Sequence, residues 1–270
     1  MSQIKELHCP LFIGADLNNN CCITEWIFGE RIKNHDLGDI RQASQFLHIL
    51  NEQRLSKDAQ NIDLGAEVCL APVDIESQIY SRLRRLMASD SDQTKLLLEI
   101  SFYPTLDKTV RWAKKEYFNQ NMEYDTALSN NKLSLSPVDF GLHNALKTES
   151  GRLYFLDFEY FGWSDPVHLV SDTLLHPGMD LNFKQKKAFF KSMKNTYTFD
   201  DEYLSRIRIL YPLYGLRWCA IMLNIFLPNY FDSFPGQLSQ EDKLKMQEER
   251  LERVANRLDE INNLRKVFPF

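Results

Sequence analysis

Asp139 and Asn144 stand five positions apart in SPVDFGLHN, and a second aspartate, Asp157, closes the apolar run that follows. Phosphoryl transfer uses one carboxylate to orient a hydroxyl nucleophile, and an amide oxygen with another carboxylate to hold magnesium on the nucleotide. The stretch from Leu133 to Asp165 supplies all three groups in that order. Alone, the first pair reads more simply as a turn aspartate and a helix-capping asparagine. Asp157 changes the balance, because two strand-end carboxylates and an asparagine can converge on one cation. Oxygen ligands of this hardness suit magnesium.

The elements around these residues must bring them together. Leu133–Leu135 reads as a short strand, and Pro137 blocks further ladder pairing, so Asp139 falls where strand gives way to loop. Gly141 lets the loop fold tightly and return Asn144 toward the same ion. After the turn Glu149-Ser-Gly-Arg152, the segment Arg152–Leu156 reads as a strand that ends at Asp157. Upstream, Leu11–Ala15 and Cys21–Phe28 form two strand candidates around the turn-forming Asp16-Leu-Asn-Asn-Asn20. Helical periodicity begins at Asp36, with Ile40, Ala43, Phe46, Leu47 and Leu50 on one face.

Residues 55–73 read as loop, and Asp74 as the cap of a helix carrying Ile79, Leu83 and Leu86. Separate helices are expected over 91–101 and 105–121. The chain after Pro166 is expected to be helical, over Lys184–Tyr197, Glu202–Phe226 and Ser239–Lys266. The last begins with a capping-box-like Ser239-x-x-Asp242. Its stripe Leu244, Leu251, Val254, Leu258 and Ile261 is expected to pack on the domain body, with a dimer contact as the sharper alternative.

The chain of 270 residues carries a formal net charge of −5, which argues against a nucleic-acid partner. No apolar run approaches the ~18 residues of a membrane span, and the start lacks a basic-then-apolar secretory signal. Five cysteines, odd in number and without a C-x-x-C pair, read as reduced thiols. These features predict a cytoplasmic protein with neither a nucleic-acid nor a membrane partner.

The segment SPVDFGLHNALKTESGRLYFLDFEYFGWSDP resembles the catalytic core of the aminoglycoside phosphotransferase and choline kinase-like families, small-molecule relatives of the protein kinases. The resemblance implies an α+β, protein-kinase-like fold: residues 1–30 as a short remnant of the N-terminal β lobe, and 31–270 as a mostly helical C-terminal lobe. By position, Asp139 resembles the catalytic base, Asn144 and Asp157 the magnesium ligands, and His143 a residue that shapes the loop. CCITEWIFGE resembles the last small-lobe strand and hinge, where backbone groups of Glu25, Trp26 and Ile27 would bind the adenine of ATP. Trp163, Tyr211, Tyr214, Arg217 and Trp218 are candidates to line the pocket of a small hydroxyl substrate, such as an amino sugar, a choline-like alcohol or another sugar. Core packing is the plainer account of each. Two positions depart from the family pattern: Pro137 replaces the histidine of H-G-D, and Asp172 lies at a longer spacing than the usual supporting aspartate.

The resemblance also implies a phosphate-covering loop, a strand lysine and a helix glutamate upstream of the hinge. Only ten residues precede Leu11, Lys5 is the one lysine among them, and no glycine-rich loop lies there. The expectation is a phosphotransferase lineage with weak or absent transfer. The alternative is a silent kinase-like binding or scaffold protein.

Overall fold

The computed structural model describes residues 7–16, 18–19, 21–234, 236 and 238–270, so Lys5 lies outside the described residues. The chain folds as two compact units. The first comprises the described residues up to Val68, with Leu128–Tyr203 and Phe270; the second comprises Cys69–Ala127 and Leu204–Pro269.

In the first unit, β1 (Phe12–Asp16) and β2 (Cys21–Thr24) form an antiparallel hairpin with Asp16 opposite Cys21 and Phe12 opposite Thr24. The single strand expected over Cys21–Phe28 thus stops at Thr24. Its neighbour runs out at Pro10, which has no N–H to extend the ladder. β3 (Glu30–Arg31) follows, and then helix α1 (Leu37–Glu52). A capping box starts α1: the Asp36 carboxylate accepts from Asp39 N at 3.0 Å, and Asp39 accepts from Asp36 N at 3.0 Å. Ile40, Ala43, Phe46, Leu47 and Leu50 form its buried face, as the periodicity predicts.

The 55–73 segment contains a turn of 3-10 helix at Ala59–Asn61 and runs directly into helix α2 (Pro72–Met87) of the second unit. Asp74 is not the first cap of α2. Pro72 takes the first helical position, where its missing N–H costs nothing, so Ala71 is the N-cap. Asp74 caps from inside the first turn instead, accepting from Leu70 N at 2.9 Å and Ala71 N at 2.8 Å. The two helices expected over 91–121 are one continuous rod. α3 (Asp92–Leu97) passes through a π turn at Leu98–Phe102 into α4 (Tyr103–Asn119).

The first unit resumes with β4 (Ser134–Ser136), β5 (Ala145–Lys147), β6 (Leu153–Phe155) and β7 (Gly162–Ser164). They make two small antiparallel sheets, one ordered β3-β5-β6 and the other pairing β4 with β7. Helices α5 (Pro166–Leu175) and α6 (Phe183–Thr196) complete it. The second unit closes with α7 (Tyr203–Met222), whose first residue belongs to the first unit, and α8 (Gln240–Leu264). The segment Tyr203–Phe226 is long and apolar enough to cross a membrane, but 78% of its apolar 18-residue window is buried within the protein. The apolar stripe of α8 packs inward through Val254, Leu258 and Ile261, while Leu244 is exposed. Gly215 of α7 admits Ile261 so closely that an added Cβ would sit 3.2 Å from its side chain. All five cysteines are free thiols.

Candidate functional site

The backbone after β4 breaks sharply. Asp139 N donates to Pro137 O at 2.9 Å, closing a three-residue turn around Val138, whose φ is +64°. This is the rare, strained sense of that turn. A β-branched residue at positive φ is an outlier that persists only where its surroundings hold it there. The strain throws Asp139 clear of the strand.

Phe140, next in sequence, is buried and anchors the loop. Its ring lies 5.7 Å from Phe46 of α1 and 4.8 Å from Phe155 of β6, and Phe46 lies 4.7 Å from Phe155. Each such pair contributes roughly 0.5–1.5 kcal/mol beyond area burial. One aromatic cluster therefore ties the residue after Asp139 to the strand that ends at Asp157.

The hairpin β5–β6 sets the other half. Ala145 pairs with Phe155, and Leu156 N donates to Asn144 O at 2.8 Å. Asn144 and Asp157 consequently stand at the same open end of the hairpin. Asp157 has φ +63°, a conformation aspartate tolerates better than most residues.

Around Asp139 the polar network is dense. Asn144 Nδ2 donates to Asp139 O at 3.1 Å and to Oδ2 at 3.3 Å. His143 Nε2 lies 3.3 Å from Oδ1, and His176 Nε2 lies 3.9 Å from the same oxygen. The hydrogen bond from His143, with the two imidazoles and Asn144 nearby, holds the Asp139 carboxyl below the usual carboxylate range. Asp157 moves the opposite way, pushed up by burial and by the nearby carboxylates of Glu159 and Asp139. Carboxylates driven apart in this way can take different roles. Asp139 is suited to accept a hydrogen bond as a fixed anion, and Asp157 is a carboxyl whose ionised form a bound cation would favour.

The donor set fits magnesium. Asn144 gives its amide nitrogen to Asp139, which leaves its Oδ1 as the available ligand atom, and Asp157, at the same end of the hairpin, offers a carboxylate. These are hard oxygen donors.

The remaining sequence candidates fall in several places. Glu25 N donates to Leu11 O at 2.8 Å, and its carboxylate accepts from Leu11 N at 3.3 Å, so both are engaged at the end of the hairpin. Trp26 and Ile27 lie between β2 and β3, with Trp26 78% exposed. They border a cavity of about 970 Å³ whose wall continues through Gly29, Arg31, Lys33 and Lys147. Trp163, in β7, donates its indole N–H to Ala59 O at 3.0 Å. Asp172, on α5, lies 3.2 Å from His168 Nε2. Tyr211, Tyr214, Arg217 and Trp218 are buried in the second unit. There Arg217 Nε donates to Gln78 Oε1 at 2.7 Å, giving the buried guanidinium the partner it requires.

Sequence reasoning missed His176, which reaches Asp139 from 37 residues downstream, and the Phe46–Phe140–Phe155 cluster. It also missed a supporting loop. Leu64 bridges Trp163 in parallel, and an added Cβ at Gly65 would lie 2.8 Å from Val138 Cγ2. Paired glycines (Gly65 and Gly162) at this close approach are the available signal.

Solved structures supply the fold comparison. An aminoglycoside phosphotransferase from Alicyclobacillus acidocaldarius superposes with a TM-score of 0.56 at 13% identity, over 98% of this chain and 80% of its own. This chain has the fold of the aminoglycoside phosphotransferases and choline kinases. A choline/ethanolamine kinase family protein from Mesorhizobium loti matches at TM-score 0.54 and 14% identity, over 98% of this chain and 82% of its own. A spectinomycin phosphotransferase solved with ADP and spectinomycin matches at TM-score 0.56 and 14% identity, over 96% and 79%. No family model matches the sequence, and no curated protein matches it. The α+β, kinase-like fold expected from the Leu133–Asp165 stretch is confirmed.

Proposed function

We propose that this protein is a small-molecule kinase that transfers the γ-phosphoryl group of ATP to a hydroxyl. The observation that carries the reading is the hydrogen-bonded pair Asp139 and Asn144, on a loop strained at Val138, with Asp157 following the β5–β6 hairpin at the end where Asn144 enters it. Bound magnesium would supply charge neutralisation on the nucleotide phosphates. Asp139 would accept the hydrogen of the acceptor hydroxyl and aim its oxygen, Asn144 would hold the Asp139 carboxylate through Nδ2, and Asn144 Oδ1 with Asp157 would hold the ion. The segment Glu25–Ile27 would face the adenine. The proposed acceptor is an amino sugar, a choline-like alcohol or another sugar.

The test is a phosphoryl-transfer assay with labelled ATP and magnesium across those three acceptor classes, on the protein and on Asp139→Asn. The variant is expected to lose transfer while binding ATP nearly as well. Full activity in Asp139→Asn would remove that residue from its role.

A second reading, a silent kinase-like binding protein, has its own observation. Among the described residues before Glu30 there is one two-stranded sheet and no lysine. Magnesium-dependent ATP binding without transfer to any acceptor would favour it.

A further inference from the structure

His176 is the group at the site that the proposed chemistry leaves unused. It follows α5 directly and opens the turn His176-Pro177-Gly178-Met179. This turn is fitted onto the Asp139–Asn144 loop at several points. Met179 Sδ accepts from Leu142 N at 3.0 Å. The His176 ring stacks on His143 with centroids 4.0 Å apart and an interplanar angle of 3°. Glycines make the fit close on both sides: an added Cβ at Gly141 would lie 2.6 Å from both His143 Nδ1 and Met179 Sδ, and one at Gly178 would lie 3.0 Å from the His176 ring.

The tautomer of His176 is also set by the structure. Gly178 N donates to His176 Nδ1 at 3.0 Å, so Nδ1 is the acceptor nitrogen and the proton of the neutral ring resides on Nε2. That N–H borders Asp139 Oδ1, at 3.9 Å. His143 Nε2 approaches the same oxygen at 3.3 Å. Two parallel imidazoles thus present one edge to a single carboxylate oxygen.

The same triangle of Asp139, His143 and His176 has ligand atoms close enough for a metal ion. The tautomer argues against that use: with Nδ1 accepting from Gly178 N, the neutral His176 ring carries its proton on Nε2, which then has no lone pair to offer.

We propose that His176 is a positioning residue: stacked on His143 and locked by Gly178, it fixes the Asp139 carboxylate in the orientation that receives the acceptor hydroxyl. The proposal rests on the reading of Asp139 given above. Without His176 the His143 ring loses its stacking partner, and Asp139 Oδ1 loses one of two neighbours, while Asn144 still holds Oδ2. Small misplacements of a reacting group cost rate far more than they cost binding.

The test combines imidazole ¹⁵N NMR of the intact protein with steady-state kinetics. His176 is expected to show an acceptor Nδ1 and a protonated Nε2, and Asp139→Asn is expected to shift both the His143 and His176 signals. His176→Phe, which keeps a stacking ring but no nitrogen, should lower kcat by about ten- to hundredfold with the KM for ATP little changed. His176→Gln, which restores an N–H donor, should recover part of kcat. If Asp139→Asn leaves the His176 signals unmoved, or if the Phe and Gln variants are equally active, the proposal is overturned. Should His176→Phe fail to fold, the NMR response and the Gln variant decide alone. If the signals shift together but the protein transfers no phosphoryl group, the brace stands and the kinase reading falls.

Discussion

Leu156 N–H donates to the carbonyl of Asn144 at 2.8 Å, one residue before Asp157. This backbone bond extends the β5–β6 ladder by one step and brings an amide side chain and a carboxylate to its open end. Neither side chain makes the bond, so the pairing is a property of the hairpin and survives changes at either residue.

Proton linkage follows from the environment of Asp157. Burial, Glu159 and Asp139 raise its carboxyl above the ordinary value, whereas a cation needs the ionised form. As pH falls, Asp157 protonates earlier than an ordinary aspartate, while Asp139, held low, stays charged. Magnesium-dependent nucleotide binding should therefore weaken with falling pH at a higher pH than an ordinary aspartate would impose, with proton release on binding measurable by calorimetry in two buffers. Asp157→Asn should abolish that dependence along with most of the metal affinity.

Phe46 is the α1 member of the aromatic cluster, in contact with both Phe140 and Phe155. Phe46→Ala should destabilise the protein by about 3–5 kcal/mol, the usual cost of emptying a buried aromatic site. Denaturant unfolding measures this directly. Under conditions where the variant is folded, transfer should fall as well, because the loop bearing Asp139 loses its anchor.

Gly141 is extended rather than left-handed, with φ 173°, so its requirement is space. Gly141→Ala would place a methyl group against His143 Nδ1 and Met179 Sδ. The expected cost is about 1–3 kcal/mol of overpacking. Transfer should fall disproportionately, while nucleotide binding changes little.

Val138 offers the reverse test. Its φ of +64° strains a β-branched residue and suits glycine. Val138→Gly should leave the thermal midpoint unchanged or raised, because relief of roughly 1–2 kcal/mol of backbone strain offsets the lost side-chain contacts. A substantial fall in midpoint would show that the strain is not stored there.

Much of the site was legible because each of its oxygen-bearing residues marks the end of a strand. Pro137 stops β4, and the apolar run Leu153–Leu156 stops at Asp157, so the side chains that follow must leave the ladder. Ala145–Lys147 and Gly162–Ser164 escaped notice because three residues are too few to show alternation; they are strands only through their partners. The expected pair of helices over 91–121 is one continuous rod from Asp92 to Asn119, because a π turn at Leu98–Phe102 carries the helix through to Pro104, which sits in the first turn of α4. His176 left no local signal at all. Its meaning lies in a ring stacked on His143 from the far end of α5, a contact that no periodicity encodes.

The most direct test of the proposed magnesium–nucleotide site is calorimetric titration of ATP into the protein with and without magnesium, repeated on Asp157→Ala. Binding is expected to require magnesium in the native protein and to weaken by at least about tenfold in the variant, a loss of roughly 1.4 kcal/mol. Equal ATP binding in all of these conditions, or none in any, would contradict the account.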